Sequence, residues 1–183
     1  MYIFGMESSC DETSAAIVHA DEAGNLTIKA NIVASQVDVP RLYGGVVPEI
    51  ASRAHIEAIS KITYEALDVA GVSLKEISAI AVTNGPGLIG ALLVGVNFAK
   101  ALAIANNKPL VSVDHIKGHA AACYLSGVEN APKPPYIALT VSGGHTAIYL
   151  VESYTETNGM TRTHRDEGEK IVLVGIPNDS TAI

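Results

Sequence analysis

The sequence predicts an α/β protein in which helices cover a mixed sheet. Three observations point there. The chain opens with extended segments separated by turns, and it then alternates long helical patterns with short apolar strands. Its 183 residues are 48% hydrophobic and 17% charged, with 16 glycines. That composition supports a packed core and excludes a disordered chain. The length allows one ample domain or two small ones.

Tyr2 to Glu7 reads as the first strand and Ser14 to Ala20 as the second, with a loop at Ser8 to Thr13 between them. Asp21-Glu22-Ala23-Gly24-Asn25 is a turn, after which Leu26 to Gln36 resumes an extended pattern. The spacing of Ile50, Ala54, Ile59, Ile62 and Leu67 predicts a helix over Pro48 to Ala70, ended by Gly71. A strand at Ile77 to Thr83, a helix from Leu88 to Ala105 and a strand at Leu110 to Val113 follow. Asp114 then stands where it would cap a short helix through Ala120, Ala121 and Ala122. Three strands followed by alternating helices and strands is the layout of a ribonuclease-H-like or actin-like domain.

Glu129 to Pro135, with three prolines, reads as a hinge. Beyond it, Tyr136 to Val141 and Ala147 to Glu152 read as two strands joined by Ser142-Gly143-Gly144-His145-Thr146, repeating the opening hairpin. The expected division is an actin-like N-terminal lobe over 1–131 and the start of a second lobe over 132–183. Only 33 residues (183 minus 150) follow Leu150, too few to complete that lobe.

The formal charge is −7, and no dense Lys/Arg cluster appears. Any grip on nucleic acid would therefore need positive surface from partner subunits or further sequence. No apolar run reaches the roughly 18 residues that would span a bilayer. The N-terminus has no basic start before its apolar stretch and reads as a strand, not a signal peptide. Cys10 and Cys123 lie far apart without metal-type spacing. A reduced, cytoplasmic protein with no membrane association is the expectation.

Two histidines four residues apart, His115 and His119, follow the strand at Leu110. On a helix such residues share a face and could grip one metal ion, although zinc or iron usually takes at least three protein groups. Two unrelated histidines would show the same spacing. A zinc protease needs a glutamate between such histidines to activate water, but Ile116 follows His115 and no carboxylate intervenes.

The loop Ser8-Ser9-Cys10-Asp11-Glu12-Thr13 could present backbone N–H groups and hydroxyls to phosphate oxygens, with Asp11 holding Mg²⁺. A polar turn that merely joins two strands is the plainer alternative. Ser142 to Thr146 offers the same chemistry on the second hairpin. Gly85-Pro86-Gly87-Leu88-Ile89-Gly90 matches a dinucleotide fingerprint, but it follows a three-strand meander. Close packing of the helix through Gly90 and Gly95 accounts for the same glycines. Gly44-Gly45-Val46-Val47-Pro48-Glu49 followed by Arg53 and His55 reads as either a plain surface helix face or a substrate or partner surface.

Five ordered segments together resemble the universal tRNA threonylcarbamoyltransferase family. They are Glu7 to Thr13, Gly44 to Glu49 with Ala51 to His55, Asn84 to Gly90, His115 to His119, and Ser142 to Thr146. The resemblance runs from Met1 to about Glu152. It implies an actin-like ATPase (ribonuclease-H-like) fold with two lobes, the second truncated here. It also implies transfer of a threonylcarbamoyl group from threonylcarbamoyl-adenylate to N6 of the adenosine adjacent to the anticodon. His115 and His119 fall on the family's histidine ligands to iron or zinc (Fe²⁺ or Zn²⁺), whose third ligand is an aspartate near the end of full-length members. Val141, Ser142, Gly143, Gly144 and His145 match its substrate-binding run. Asp11, Glu12 and Thr13 match its first phosphate loop, with Asp11 and Glu12 as candidates for orienting the amine or taking its proton. An adenine nucleotide or the adenylate itself, with Mg²⁺, would be the small ligand. The implied partners are tRNA and, in bacteria, the actin-like paralogue TsaB and the ATPase TsaE.

The tail departs from the family pattern. Full members continue with an Asp-Asp-Ala-Ala-Gly-Glu-type segment, a helical insert and a glycine-rich adenosine loop; here Asn158 to Arg162 and Glu167 to Ile171 stand instead. With the metal site and nucleotide cleft half built, the expectation is that this polypeptide alone does not catalyse transfer. Other readings are a non-catalytic actin-like partner of the same modification complex and an O-carbamoyltransferase using a carbamoyl adenylate. Sugar kinases and chaperone ATPases share the fold, but neither needs the histidine pair.

Overall fold

The computed structural model describes residues 1–35, 47–125, 132–133, 135–141, 146–151 and 171–174. They fall into two compact units, Met1–Gly118 and His119–Ile183.

In the first unit, β1 (Tyr2–Glu7), β2 (Glu12–Ala20) and β3 (Leu26–Ser35) form an antiparallel meander. Alternation along β2 buries Thr13, Ala15 and Ile17 on one face, as a half-covered strand requires. Two parallel strands, β4 (Ile77–Gly85) and β5 (Leu110–Asp114), extend the sheet on the far side of β1. The order is β3-β2-β1-β4-β5. This is the mixed sheet the element pattern predicts. β2 begins two residues before the expected Ser14, so the first loop narrows to Ser8–Asp11.

Helix α1 (Pro48–Ala70) has the predicted limits. Pro48 occupies the first turn, where its missing N–H costs nothing. Gly71 stops the helix in the left-handed region at φ 65°, with its N–H on Asp68 O and that of Val72 on Leu67 O. Ala51, His55, Ile59, Ile62 and Ala66, at intervals of four and three, form the buried stripe. Helix α2 (Ile89–Ala105) buries Ala91, Gly95, Ala99 and Ala103, one small residue per turn. α1 packs on β2 and β3, α2 on β4, and the helices touch each other, so both cover one face of the sheet. Between them and the strands lies one core that includes Phe4, Met6, Ile17, Ile59, Ile62, Ile77 and Ile80.

Small residues on α2 let the helix and its leading turn approach the loop after β1. Ser8 donates its hydroxyl to Ala91 O at 2.9 Å, and Leu88 N–H donates to Ser9 O at 2.7 Å. A Cβ on Gly87 would lie 2.5 Å from Ser9 O and 2.6 Å from Ser9 Cβ. One on Gly90 would lie 2.5 Å from Ser52 Oγ, and one on Gly95 would collide with the Ser8 hydroxyl. Close packing thus accounts for Gly87 and Gly90 of the G-x-G-x-x-G match, while a Cβ on Gly85 would meet nothing within 4 Å.

Helix α3 (His115–Ala121) follows β5 directly and passes into a 3₁₀ turn at Ala122–Tyr124, where the sequence pattern continues the helix through Ala122. Asp114 caps it as predicted, with Oδ1 accepting from Ile116 N–H at 2.9 Å and Lys117 N–H at 3.0 Å. In the second unit, β6 (Tyr136–Val141) and β7 (Thr146–Val151) pair antiparallel with Val141 opposite Thr146. A third strand, β8 (Ile171–Val174), pairs with β7; the sequence reading did not reach it. The predicted hinge at Glu129 to Pro135 falls mostly outside the described residues.

Gly87→Ala is predicted to destabilise the protein by about 1–3 kcal/mol, because its nearest neighbours are backbone and Cβ atoms that cannot swing aside. Urea unfolding of the two chains checks this; an unchanged midpoint would contradict the close approach.

Candidate functional site

The end of β1, the loop after it and the start of α3 meet in the first unit. Glu7, the last residue of β1, accepts the Ser9 N–H on Oε1 at 2.5 Å. Its Oε2 lies 3.3 Å from His115 Nδ1, and Ser9 Oγ lies 3.1 Å from the same nitrogen. A carboxylate only accepts, so a hydrogen bond to Oε2 requires a proton on Nδ1, whereas the Ser9 hydroxyl can pair with either form of the ring. The His115 and Glu7 side chains are 19% and 34% exposed, so the contact is sheltered without being sealed. Burial pushes the Glu7 carboxyl up. Hydrogen bonds from the side chains of Ser9 and Thr83, the Ser9 backbone and His115 outweigh that and leave it below the ordinary carboxylate range.

His55 holds the loop from the other side. It is fully buried on α1, donating Nε2–H to Cys10 O at 2.9 Å and accepting the Thr13 hydroxyl on Nδ1 at 2.7 Å. For His55 this corrects the surface reading of that helix face, since its ring is buried. Arg53 does lie on the surface, paired with Glu49. Ser8, Ser9 and Thr13 are all buried, and their hydroxyls bind Ala91 O, the Glu7–His115 pair and His55. The expectation that these hydroxyls face phosphate is therefore corrected: they anchor the loop, and Thr13 is a support for it. Asp11 is partly exposed beside the tip. Glu12 and Thr13, as neighbours in β2, face opposite ways, and only Glu12 is exposed.

The exposed tip carries Cys10. Burial pushes its thiol up, and the hydrogen bond and negative charge of Asp11, with the charge of Glu7, push it further. The thiol is therefore a poor nucleophile at neutral pH.

His115 and His119 both belong to α3, at positions that lie on one side of a helix. Among the described residues no group of three His, Cys, Asp or Glu side chains comes together to hold an ion. Imidazole is a donor that zinc and iron accept, but such ions usually take at least three protein groups, so two histidines would need further donors. Val141 is exposed at the end of β6. Ser142, Gly143, Gly144 and His145 lie outside the described residues. Sequence reasoning missed Glu7 and His55 as site-building residues. Their partners are 108 and 45 residues away along the chain, and no local spacing signals them.

Comparison with known proteins follows the same lines. The family model described as tRNA N6-adenosine threonylcarbamoyltransferase matches residues 27–173. A protein of that name from Syntrophus aciditrophicus is 47% identical over 97% of this chain and 53% of its own length. Others of that name, from Symbiobacterium thermophilum and Clostridium perfringens, are 52% and 49% identical over 90% of this chain and 46% and 47% of theirs. The chain thus spans about half the length of the curated relatives it matches. Among solved structures, YeaZ from Pseudomonas aeruginosa superposes with a TM-score of 0.55 at 18% identity, covering 84% of this chain and 62% of that one. An uncharacterized protein with similarity to peptidase YEAZ from the same organism gives 0.52 at 19% identity, covering 100% and 72%. These likenesses support the actin-like, ribonuclease-H-like fold.

Two outcomes check the local geometry. Thr13→Val leaves His55 Nδ1 buried without its donor and should cost about 1–3 kcal/mol in chemical unfolding; no loss would contradict the pairing. In site-resolved mass spectrometry at pH 8, Cys10 should be alkylated more slowly than in the unfolded chain, and Asp11→Asn should speed it several-fold. Equal rates in wild type and variant would remove Asp11 from its environment.

Proposed function

The chain belongs to the tRNA N6-adenosine threonylcarbamoyltransferase family, and from that premise we propose that it contributes to forming threonylcarbamoyladenosine in tRNA. The group transferred is the threonylcarbamoyl moiety of threonylcarbamoyl-adenylate, and the acceptor is N6 of the adenosine adjacent to the anticodon. The amine nitrogen attacks the carbamoyl carbon, the bond to the phosphate oxygen breaks, AMP leaves and the amine gives up a proton. The adenylate is already activated. Such a reaction asks the protein for positioning and charge stabilisation more than for a covalent nucleophile.

The observation that carries this reading is the meeting of the β1 loop with His115, which puts a loop of the family's phosphate motif beside a histidine of its metal motif. In this reading partly exposed Asp11 holds Mg²⁺ or orients the amine, and exposed Glu12 is the second carboxylate for that role. Ser8, Ser9, Thr13 and His55 keep the loop in shape. His115 and His119 would supply two donors to one Fe²⁺ or Zn²⁺. Such an ion would act as a Lewis acid on carbonyl or phosphate oxygens. Val141 and the segment through His145 take the role of a substrate-binding run.

The acidic chain leaves most tRNA phosphate contacts to other surfaces. A shallow groove of about 450 Å³ at the α1–α2 seam is lined by Ile56, Leu93, Val94 and Phe98, with buried Ile59 at its base. Ile56, Leu93 and Ile89 are exposed there and nearby, which suits docking of the paralogue TsaB; TsaE completes the bacterial set. No helix among the described residues is long and apolar enough to cross a membrane. A cytoplasmic site of action fits this substrate.

Metal analysis of the purified chain beside His115→Ala and His119→Ala tests the reading. The wild type should carry more zinc or iron per chain than either variant, each of which removes one of its two imidazole donors. Equal contents in all three would remove the metal site.

A further inference from the structure

Glu7 does something that its place in a motif does not explain. Its carboxylate is partly sheltered at the end of a strand, where a charge costs energy unless several donors serve it. It has them: the Ser9 N–H at 2.5 Å, the hydroxyls of Ser9 and Thr83, and His115 Nδ1. All but the last are fixed by the turn and by β4. The carboxylate is thus locked in place before it meets the imidazole. At 3.3 Å its contact with Nδ1 is longer than an ordinary N–H···O bond, while Ser9 Oγ stands closer at 3.1 Å. The ring nitrogen therefore faces two acceptors held by one another, one of them charged. Free neutral imidazole has no such constraint, and either nitrogen can carry its proton.

We propose that Glu7, with Ser9, is the positioning group for His115, holding its proton on Nδ1 and presenting Nε2 as the nitrogen that binds a divalent cation. Glu7 touches neither substrate nor ion; it acts through the ring. A carboxylate behind a ligating histidine raises ligand basicity, and losing such a partner lowers metal affinity about 10- to 100-fold. The inference rests on the reading of His115 and His119 as metal donors, and its test separates the two.

The whole chain is labelled with ¹⁵N-histidine, freed of metal and studied at pH 8. Wild-type His115 should show the signature of Nδ1–H with an unprotonated Nε2. In Glu7→Ala the signal should move toward the Nε2–H form. Zn²⁺ affinity, measured by competition with a chromogenic chelator, should fall about 10- to 100-fold, and Glu7→Gln should lie between. Thermal unfolding of each variant establishes that it folds, and Glu7→Gln carries both readings if Glu7→Ala does not fold. An Nε2–H tautomer in the wild type, or a folded Glu7 variant with unchanged tautomer and affinity, would overturn the proposal. A wild-type chain that takes up no Zn²⁺ would sink the metal reading, while the tautomer comparison would still decide what Glu7 does.

Discussion

The turn that leaves β1 is pressed against the start of α2, and the arrangement of the first unit depends on that contact. Ser8 and Ser9 lie where side chains on Gly87 and Gly95 would otherwise stand. The turn is then tied by the Ser8 hydroxyl to Ala91 O and by Leu88 N–H to Ser9 O. Each bond is worth only about 1 kcal/mol net, but breaking one inside the core leaves a buried polar group unsatisfied at higher cost. Sterics forbids a larger residue and hydrogen bonding forbids a looser turn. The two constraints together give the loop one position.

From that position the chemistry follows. β1, β4 and β5 run parallel with β4 in the middle, so the three strands end on the same side of the sheet and α3 begins there. His115, its first residue, meets Glu7 and Ser9. On the opposite side, His55 carries the loop's Cys10 carbonyl and Thr13 hydroxyl onto α1. A loop built this way spends its hydroxyls on the protein. What it turns outward is the tip, with Cys10 exposed and Asp11 partly so, and the exposed Glu12 that follows. The motif residues divide into those that build the loop and those that remain for a ligand.

Much of the fold was legible because its signals are local. The limits of α1 follow from Pro48, an apolar stripe and Gly71, and β1, β4 and β6 follow from runs of apolar and β-branched residues. The Asp114 cap was readable for the same reason. The misreadings all involve long-range contacts. Nothing near His55 says that it is fully buried, because its partners belong to β2 and the loop before it. Ser9 looks like a phosphate donor until β5 brings His115 against it from 106 residues away. The glycines at 87 and 90 satisfy a dinucleotide pattern, and only the positions of Ser9 and Ser52 reveal why glycine stands there. β8 was passed over for no such reason, because Ile171–Val174 is itself a short apolar, mostly β-branched run followed by Gly175 and Pro177.

The coupling between Glu7 and His115 is the point on which these threads meet, and a double-mutant cycle measures it. Urea unfolding at pH 7 of the wild type, Glu7→Gln, His115→Ala and the double variant gives the interaction free energy directly. Residues in contact within one hydrogen-bonded network should be non-additive by about 0.5–3 kcal/mol. Additivity within about 0.3 kcal/mol would mean that the β1 loop and the start of α3 do not act on each other.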